Sequence, residues 1–349
     1  MPISAADLTE LTKVSLDEYM RNIPIDQIAT EQPFLKRLMA KRKLFLGARQ
    51  NIVVNIRKSY DSNFAWAYGM DPVDFNKRNT TEPASFPWRR AVDGLYLDYD
   101  RLYGNGIKVR EGAHGAYKLE QNEKVQLVQL MDEQMEVLKL GFLEKLNLEL
   151  LRDGTQSADA VTGLDGLVSI NPALGTMGGI DRATATYWRN NFKTGIVANT
   201  AGELAGAMEA AWRQCIRNGG APDFILAGTD FISAYATKAI TMVQNTEAGT
   251  VKKVDAGVGS GVDTGLYFKG VPIVWDPNFE TLDDLDAPLI PWEKRAYFLN
   301  MKWIEYRDDD MDVVMPVRPT NILALYAMVN LRLALVMKKA NAHAVLAVA

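Results

Sequence analysis

A chain of 349 residues with 48% hydrophobic content has enough apolar material for a sizeable core, and its length suggests about two domains or one elaborated domain. Its 39 Lys and Arg against 43 Asp and Glu leave a net charge of -4, which argues against a dedicated DNA-binding protein while allowing a local basic face. Cys215 stands alone, so no intramolecular disulfide can form and a reducing compartment is expected.

The opening residues have neither a basic leader nor an unbroken apolar run, so no secretory signal is expected. The most apolar stretch, ILALYAMVNLRLALVM (322–337), is interrupted by Asn330 and Arg332 short of the ~20 residues a bilayer helix needs. A soluble chain made inside the cell is the expectation.

Residues 1–50 read as an arm, because Pro24 and Pro33 interrupt any continuous helix. Within it, FLKRLMAKRKLFLGAR (34–49) sets Phe34, Leu35, Leu38, Leu44 and Phe45 among six basic residues. Charge alone fits two readings: a solvated helix face over apolar contacts, or an arm facing another subunit or a polyanion. NIVVNIRKSYDSNF (51–64) and the alternating GLYLDYDRLYGNGIKV (94–109) predict two strands of one long antiparallel excursion. The segment between them carries Pro72, Pro83 and Pro87 with Phe64, Trp66, Phe75, Phe86 and Trp88, an aromatic tip that a hairpin cannot bury alone.

A helix is predicted over 117–152. Leu127, Met131, Met135, Leu138, Phe142, Leu146 and Leu150 form its apolar stripe, and Gly154 stops it. Leu130, Val137, Leu140, Leu143 and Leu148 widen that surface beyond a coiled-coil seam, which favours a helix lying across a sheet. Residues 200–220 predict an amphipathic helix capped by Thr200 with Glu203. Residues 223–245 predict a buried strand, a turn and a helix; 264–279 predict a hairpin turning at Lys269-Gly270. Together, 195–290 read as an α/β or α+β unit. The remainder is mostly strand, with Leu325, Ala327, Val329, Leu331 and Leu333 on one face.

Catalytic signals fail one by one. GTMGGID (175–181) lacks the Lys-Ser/Thr ending of a phosphate-binding loop. DAGVGSGVDTG (255–265) misses the dinucleotide spacing and leads into a strand, so it offers no helix N-terminus to a pyrophosphate. His114 and His343 have no paired spacing for zinc, and Cys215 shares an apolar stripe with Leu204, Met208 and Ala211, as a buried thiol would. The acidic runs 283–288 and 307–314 read as solvated turns, the second lacking the glycine and glutamate of a calcium loop. No cofactor and no resident metal is expected.

VTGLDGLVSINPALGTMGGIDRATATYWRNN (161–191) resembles the central region of the major capsid proteins of tailed bacteriophages, where a Gly-Ile-Asp/Asn-Arg turn precedes a Trp-Arg-Asn strand. The order of elements along nearly the whole chain is similar too. The resemblance implies an α+β, Hong Kong 97-like capsid fold with these parts: an N-terminal arm (1–50), an extended β-hairpin loop (51–116), a spine helix with the first part of a peripheral domain (117–194), an axial domain (195–290) and returning peripheral strands (291–349). It implies a structural role, not an enzymatic one: hexamers and pentamers closing an icosahedral shell around packaged double-stranded DNA, built in the host cytoplasm and ending in the virion. An encapsulin-type compartment shell is the alternative within the fold, and a nucleotide-dependent enzyme the remote one.

Site residues follow from the resemblance. Lys58, Trp66, Phe86, Trp88, Arg89, Arg90 and Asp93 on the extended loop would contact a neighbouring subunit. Lys252, Lys253, Gly257, Gly259 and Gly261 would form the axial loop, and Lys36, Arg37, Lys41, Arg42 and Lys43 an inner-face basic arm near DNA. Residues 175–191 would be a joint feeding a strand, with Trp188 as its anchor and Gly178-Gly179 as a turn. About fifty residues precede the loop, so scaffolding is expected from a separate protein or to have been removed already; portal and decoration proteins are further expected partners. No covalent cross-link through Lys58, Lys77 or Lys108 is expected, and no membrane contact.

Overall fold

The computed structural model describes residues 30–44, 51–72, 75–98, 100, 110–111, 117–118, 121–198, 202–217, 219–244, 263–317 and 324–349. The chain divides into two units, Met1–Glu31 and Gln32–Ala349, and the described helices and strands all belong to the second. Thr200 and the glycine-rich loop 251–262 lie outside the described residues, as does His114.

Helix α1 (Pro33–Met39) starts at Pro33, whose missing N–H is no loss in a first turn, and buries Phe34, Leu35 and Leu38. Strand β1 (Lys43–Leu44) follows. Strands β2 (Asn51–Arg57) and β3 (Thr81–Pro87) pair antiparallel from Asn51↔Pro87 to Arg57↔Thr81. Strand β4 (Arg89–Asp98) is separated from β3 by Trp88 alone. After the small pair β5 (Arg110–Glu111) and β6 (Tyr117–Lys118) comes helix α2 (Gln121–Leu151), whose 31 residues span about 46 Å. The chain then turns at Gly154, at φ +92°.

Helix α3 (Leu164–Leu167), the pair β7 (Thr176–Met177) and β8 (Ile180–Asp181), and a 3-10 turn at Thr186–Trp188 lead into β9 (Asn191–Ile196). Helix α4 (Glu203–Arg217), β10 (Phe224–Ala227), helix α5 (Thr229–Gln244), β11 (Asp263–Phe268), β12 (Val271–Trp275) and helix α6 (Asn278–Asp286) complete the middle of the chain. Strands β13 (Arg295–Leu299), β14 (Ile304–Asp308), β15 (Asp312–Val317), β16 (Ala324–Met337) and β17 (Ala344–Val348) end it. The β11–β12 hairpin turns at Lys269-Gly270 as expected, with φ +50° and +83°, the double positive φ of a two-residue hairpin turn.

Two sheets organise these elements. One runs β1-β14-β16-β15, with β4 also paired to β16; the other runs β11-β12-β10-β13-β17-β9. Helix α2 lies across β4 and β16, the arrangement expected from its wide apolar surface. Leu138, Phe142, Leu146 and Leu150 face inward, while Val137 and Leu140 stay exposed. The six-stranded sheet is a partition. Ile225, Ala227, Ala296, Phe298, Ala344 and Leu346 face a core under α4 and α5, and their neighbours Phe224, Leu226, Tyr297, Leu299 and Val345 face the larger core. With both faces covered, β13 and β17 are buried at every position, so neither shows the alternation of a half-exposed strand.

Two expectations change. The strand beginning near Gly94 starts at Arg89 and does not pair back with 51–57; it pairs with β16 over ten residues, from Arg89↔Leu333 to Asp98↔Ala324. The partner of β2 is β3, which contains Pro83 and Pro87. Ser85 N–H points away from β2, donating to Gly178 O at 2.8 Å, and the prolines two residues to either side point the same way, so neither removes a bond from the β2–β3 ladder. The segment 291–349 contributes to both sheets: β13 pairs with β10 and β17 with β13, while β14, β15 and β16 belong to the other sheet.

Candidate functional site

The stretch 175–191 is built almost wholly from bonds to the backbone. Gly178 and Gly179, at φ +61° and +81°, close the β7–β8 hairpin. Trp188 is buried and its indole donates to Met177 O at 3.0 Å. Arg189 donates to Arg182 O at 2.6 Å and Ala183 O at 2.7 Å. Asn190 donates to Ser169 O at 2.8 Å, and Asn191 to Asn341 O at 3.0 Å. Each side chain of the Trp-Arg-Asn-Asn run thus holds chain to chain. The stretch is a joint that feeds β9, and β9 enters the six-stranded sheet beside β17.

The extended loop divides into a covered root and an uncovered end. Phe86, expected at a neighbouring subunit, is only 3% exposed and packs in the protomer's own core beneath Gly178. Trp88 also packs against that core, with the Arg332 guanidinium 5.6 Å from its ring centre. Lys58 is half-buried, 4.0 Å from Glu82, and Arg89 lies 3.4 Å from Asp159. Arg90 and Asp93 are exposed on β4. Trp66 is 92% exposed and meets Phe64 edge-on at 5.3 Å; Tyr60, Tyr68, Met70 and Phe75 are similarly open. Of the seven contact residues expected here, Phe86 and Trp88 therefore belong to their own protomer's packing.

The basic run is neutralised by acids remote in sequence. Lys41 Nζ lies 3.1 Å and Arg37 Nη2 3.7 Å from Asp223; Arg42 lies 3.6 Å from Asp308 and 2.9 Å from Asp310; Lys43 lies 2.6 Å from Glu305. Lys36 is exposed. Arg37, Lys41, Arg42 and Lys43 thus answer carboxylates of their own chain, and the acidic run at 307–314 supplies Asp308 and Asp310 to that match while its residues 309–311 form an exposed connection between β14 and β15. Asp283 likewise accepts the Trp292 and Glu293 N–H groups at 2.6 and 3.1 Å, and Asp286 pairs with Arg152.

Burial shifts Cys215 and His343 towards their neutral forms. Burial pushes the Cys215 thiol up to about 11. Burial pushes His343 down to about 3, and its neutral Nδ1 accepts the Asn300 N–H at 3.2 Å. A half-buried group that sequence reasoning missed, Asp165, accepts from Arg295 at 3.1 Å and Tyr297 at 3.0 Å, while Arg295 lies over Trp292. It joins α3 to β13 across 130 residues, a separation that carries no local signal. Among the described residues no group of three or more His, Cys, Asp and Glu could hold a metal ion, and no helix is long and apolar enough to cross a membrane.

No family model and no curated protein matches the sequence. Solved structures do match, over nearly the full length of both chains. A chain from the capsid asymmetric unit of cyanophage A-1(L) is 16% identical, with a TM-score of 0.59, covering 96% of this chain and 98% of that one. A chain from Mycobacterium phage Ogopogo is 13% identical, with a TM-score of 0.54 and coverage of 93% and 95%. A chain from the capsid of a native GTA particle is 10% identical, with a TM-score of 0.54 and coverage of 94% of each. At such identities the likeness is one of fold. The chain has the fold of phage capsid chains, the Hong Kong 97-like α+β architecture that its order of elements suggested.

Proposed function

We propose that this chain is a major capsid protein whose activity is self-assembly into hexamers and pentamers that close an icosahedral shell around double-stranded DNA. The observation that carries the reading is the end of the extended loop, where Tyr60, Phe64, Trp66, Tyr68, Met70 and Phe75 stand open to solvent on a chain with a capsid fold. Apolar patches of this kind on a soluble chain mark surfaces awaiting a partner. A second copy of the chain is the partner that capsid architecture supplies. Shell building, and not catalysis, is the function assigned, and the virion is its place.

The finer assignments extend this reading. Residues 1–50 serve as the arm, 51–116 as the extended loop, 117–194 as spine helix and peripheral domain, 195–290 as axial domain and 291–349 as returning strands. Lys252, Lys253, Gly257, Gly259 and Gly261 line the capsomer axis; Lys58, Trp66, Arg89, Arg90 and Asp93 contact a neighbour. A separate scaffolding protein and a portal act in assembly, and packaged DNA is contacted without sequence preference. Because the 36–43 run is largely matched by Asp223, Glu305, Asp308 and Asp310, that contact is not assigned to it. The capsid chains that share the fold favour a virus shell over a cargo compartment.

Sedimentation velocity and negative-stain microscopy of the purified chain, alone and with a co-expressed scaffold, test the proposal. Capsomer-sized rings or closed shells are expected. Monomers or dimers under every condition would refute it.

A further inference from the structure

The turn at 175–188 packs against the β2–β3 hairpin, beyond which the exposed aromatic side chains lie. Ser85 of β3 donates to Gly178 O at 2.8 Å. A Cβ on Gly178 would stand 3.0 Å from the Ala84 side chain and 3.1 Å from the Phe86 ring, so strand and turn approach as closely as a glycine permits. Farther out, the Tyr187 hydroxyl donates to Glu82 Oε2. That hydroxyl is pushed up to about 12, first by burial and then by the Glu82 carboxylate, so it remains a donor at any physiological pH. Lys58, at the end of the opposite strand, faces the same carboxylate at 4.0 Å.

Beyond this point the grip ends, since Ile52, Ile56, Ala84 and Phe86 are buried while Tyr60 and Trp66 are open. On one side Trp88 alone separates the hairpin from β4, which begins at Arg89 and is bonded to β16 along its whole length; on the other side the chain leads back to β1, which pairs with β14. With the root of the hairpin packed in the core, the course of its strands farther out depends on the contacts made there, and Gly178 and Tyr187 supply them.

We propose that the Gly178–Tyr187 segment is a socket that sets the direction in which the β2–β3 hairpin leaves the protomer, with Gly178 as its seat and the Tyr187–Glu82 hydrogen bond as its catch. Trp88 lies at the root of the hairpin, and the socket holds its strands farther out. Two independent reasons require glycine at 178: its φ of +61° and the proximity of Ala84 and Phe86. The device belongs to the single protomer, so it stands or falls separately from the shell reading.

Two measurements on the full chain test it, using Tyr187→Phe, which removes the catch and keeps the ring, and Gly178→Ala, which fills the seat. In hydrogen exchange, loss of a bond to a carboxylate should speed the amides of 52–56 and 82–86 by about tenfold in Tyr187→Phe. The amides of β10, β13 and β17 should exchange as in the parent. In pulsed electron spin resonance between labels on Tyr68→Cys and Lys145→Cys, the distance distribution should broaden when Tyr187→Phe is added. Unchanged exchange in the hairpin, an equal increase throughout the six-stranded sheet, or an unaltered distance distribution would each overturn the proposal. Should Gly178→Ala fail to fold, Tyr187→Phe decides alone.

Discussion

Glu305 shows how a buried charge is kept in this fold. Burial favours its neutral form, but hydrogen bonds from Lys338, Lys43 and Arg307 outweigh that and hold the carboxyl at about 2. Since the folded value lies below the ordinary 4.5, the stabilisation is present above pH 4.5 and is lost as pH falls through about 2. Glu305→Gln should therefore lower stability at pH 7 by roughly 2–3 kcal/mol, discounted for water around the exposed lysines. The deficit should vanish towards pH 2, read as denaturant midpoints of both proteins across the range. Asp276 is the opposite case. Burial raises it to about 6, against the bonds from Asn278, and Oδ2 has no hydrogen-bond partner within the protein. Because the folded value lies above the ordinary 3.8, the fold loses stability as pH rises from about 3.8 to about 6 and no more above that. Asp276→Asn should gain on the parent between pH 3 and pH 7 by about 1–3 kcal/mol, and a thermal midpoint difference that does not grow over that range would refute the assignment.

At the scale of elements, the extended hairpin separates residues that stabilise the protomer from those that do not. Trp66→Ser and Phe64→Ser should leave the protomer's unfolding free energy within about 0.5 kcal/mol, because both side chains are exposed. The same variants should reduce sedimenting assemblies severalfold, since truncating a central aromatic at an interface removes about 2 kcal/mol or more. Here the sequence was legible in part. The 3.6-residue stripe of α2, the period-two stripe of β16 and the Lys269-Gly270 turn all have local causes, and each stands where the pattern put it. The pairing of strands does not have a local cause. Pro83 and Pro87 fell in the segment read as the aromatic tip, whereas Ser85 shows which way their missing donors point, and β4 found its partner more than two hundred residues away. The ion pairs of the basic run were not legible for the same reason. Its counter-charges at 223 and 305–310 are near only in three dimensions.

At the scale of the molecule, two cores share one sheet, and the six-stranded partition makes the second unit mechanically continuous from α1 to β17. Among the described residues the end of the extended loop is left open to solvent. The central claim is that a second copy covers it. A cryo-electron microscopy map of assembled particles tests this most directly, read at Trp66. The account predicts that the indole is enclosed by residues of a neighbouring subunit in both five-fold and six-fold rings. A Trp66 left open to solvent in closed shells, or folded back onto its own protomer, would contradict it.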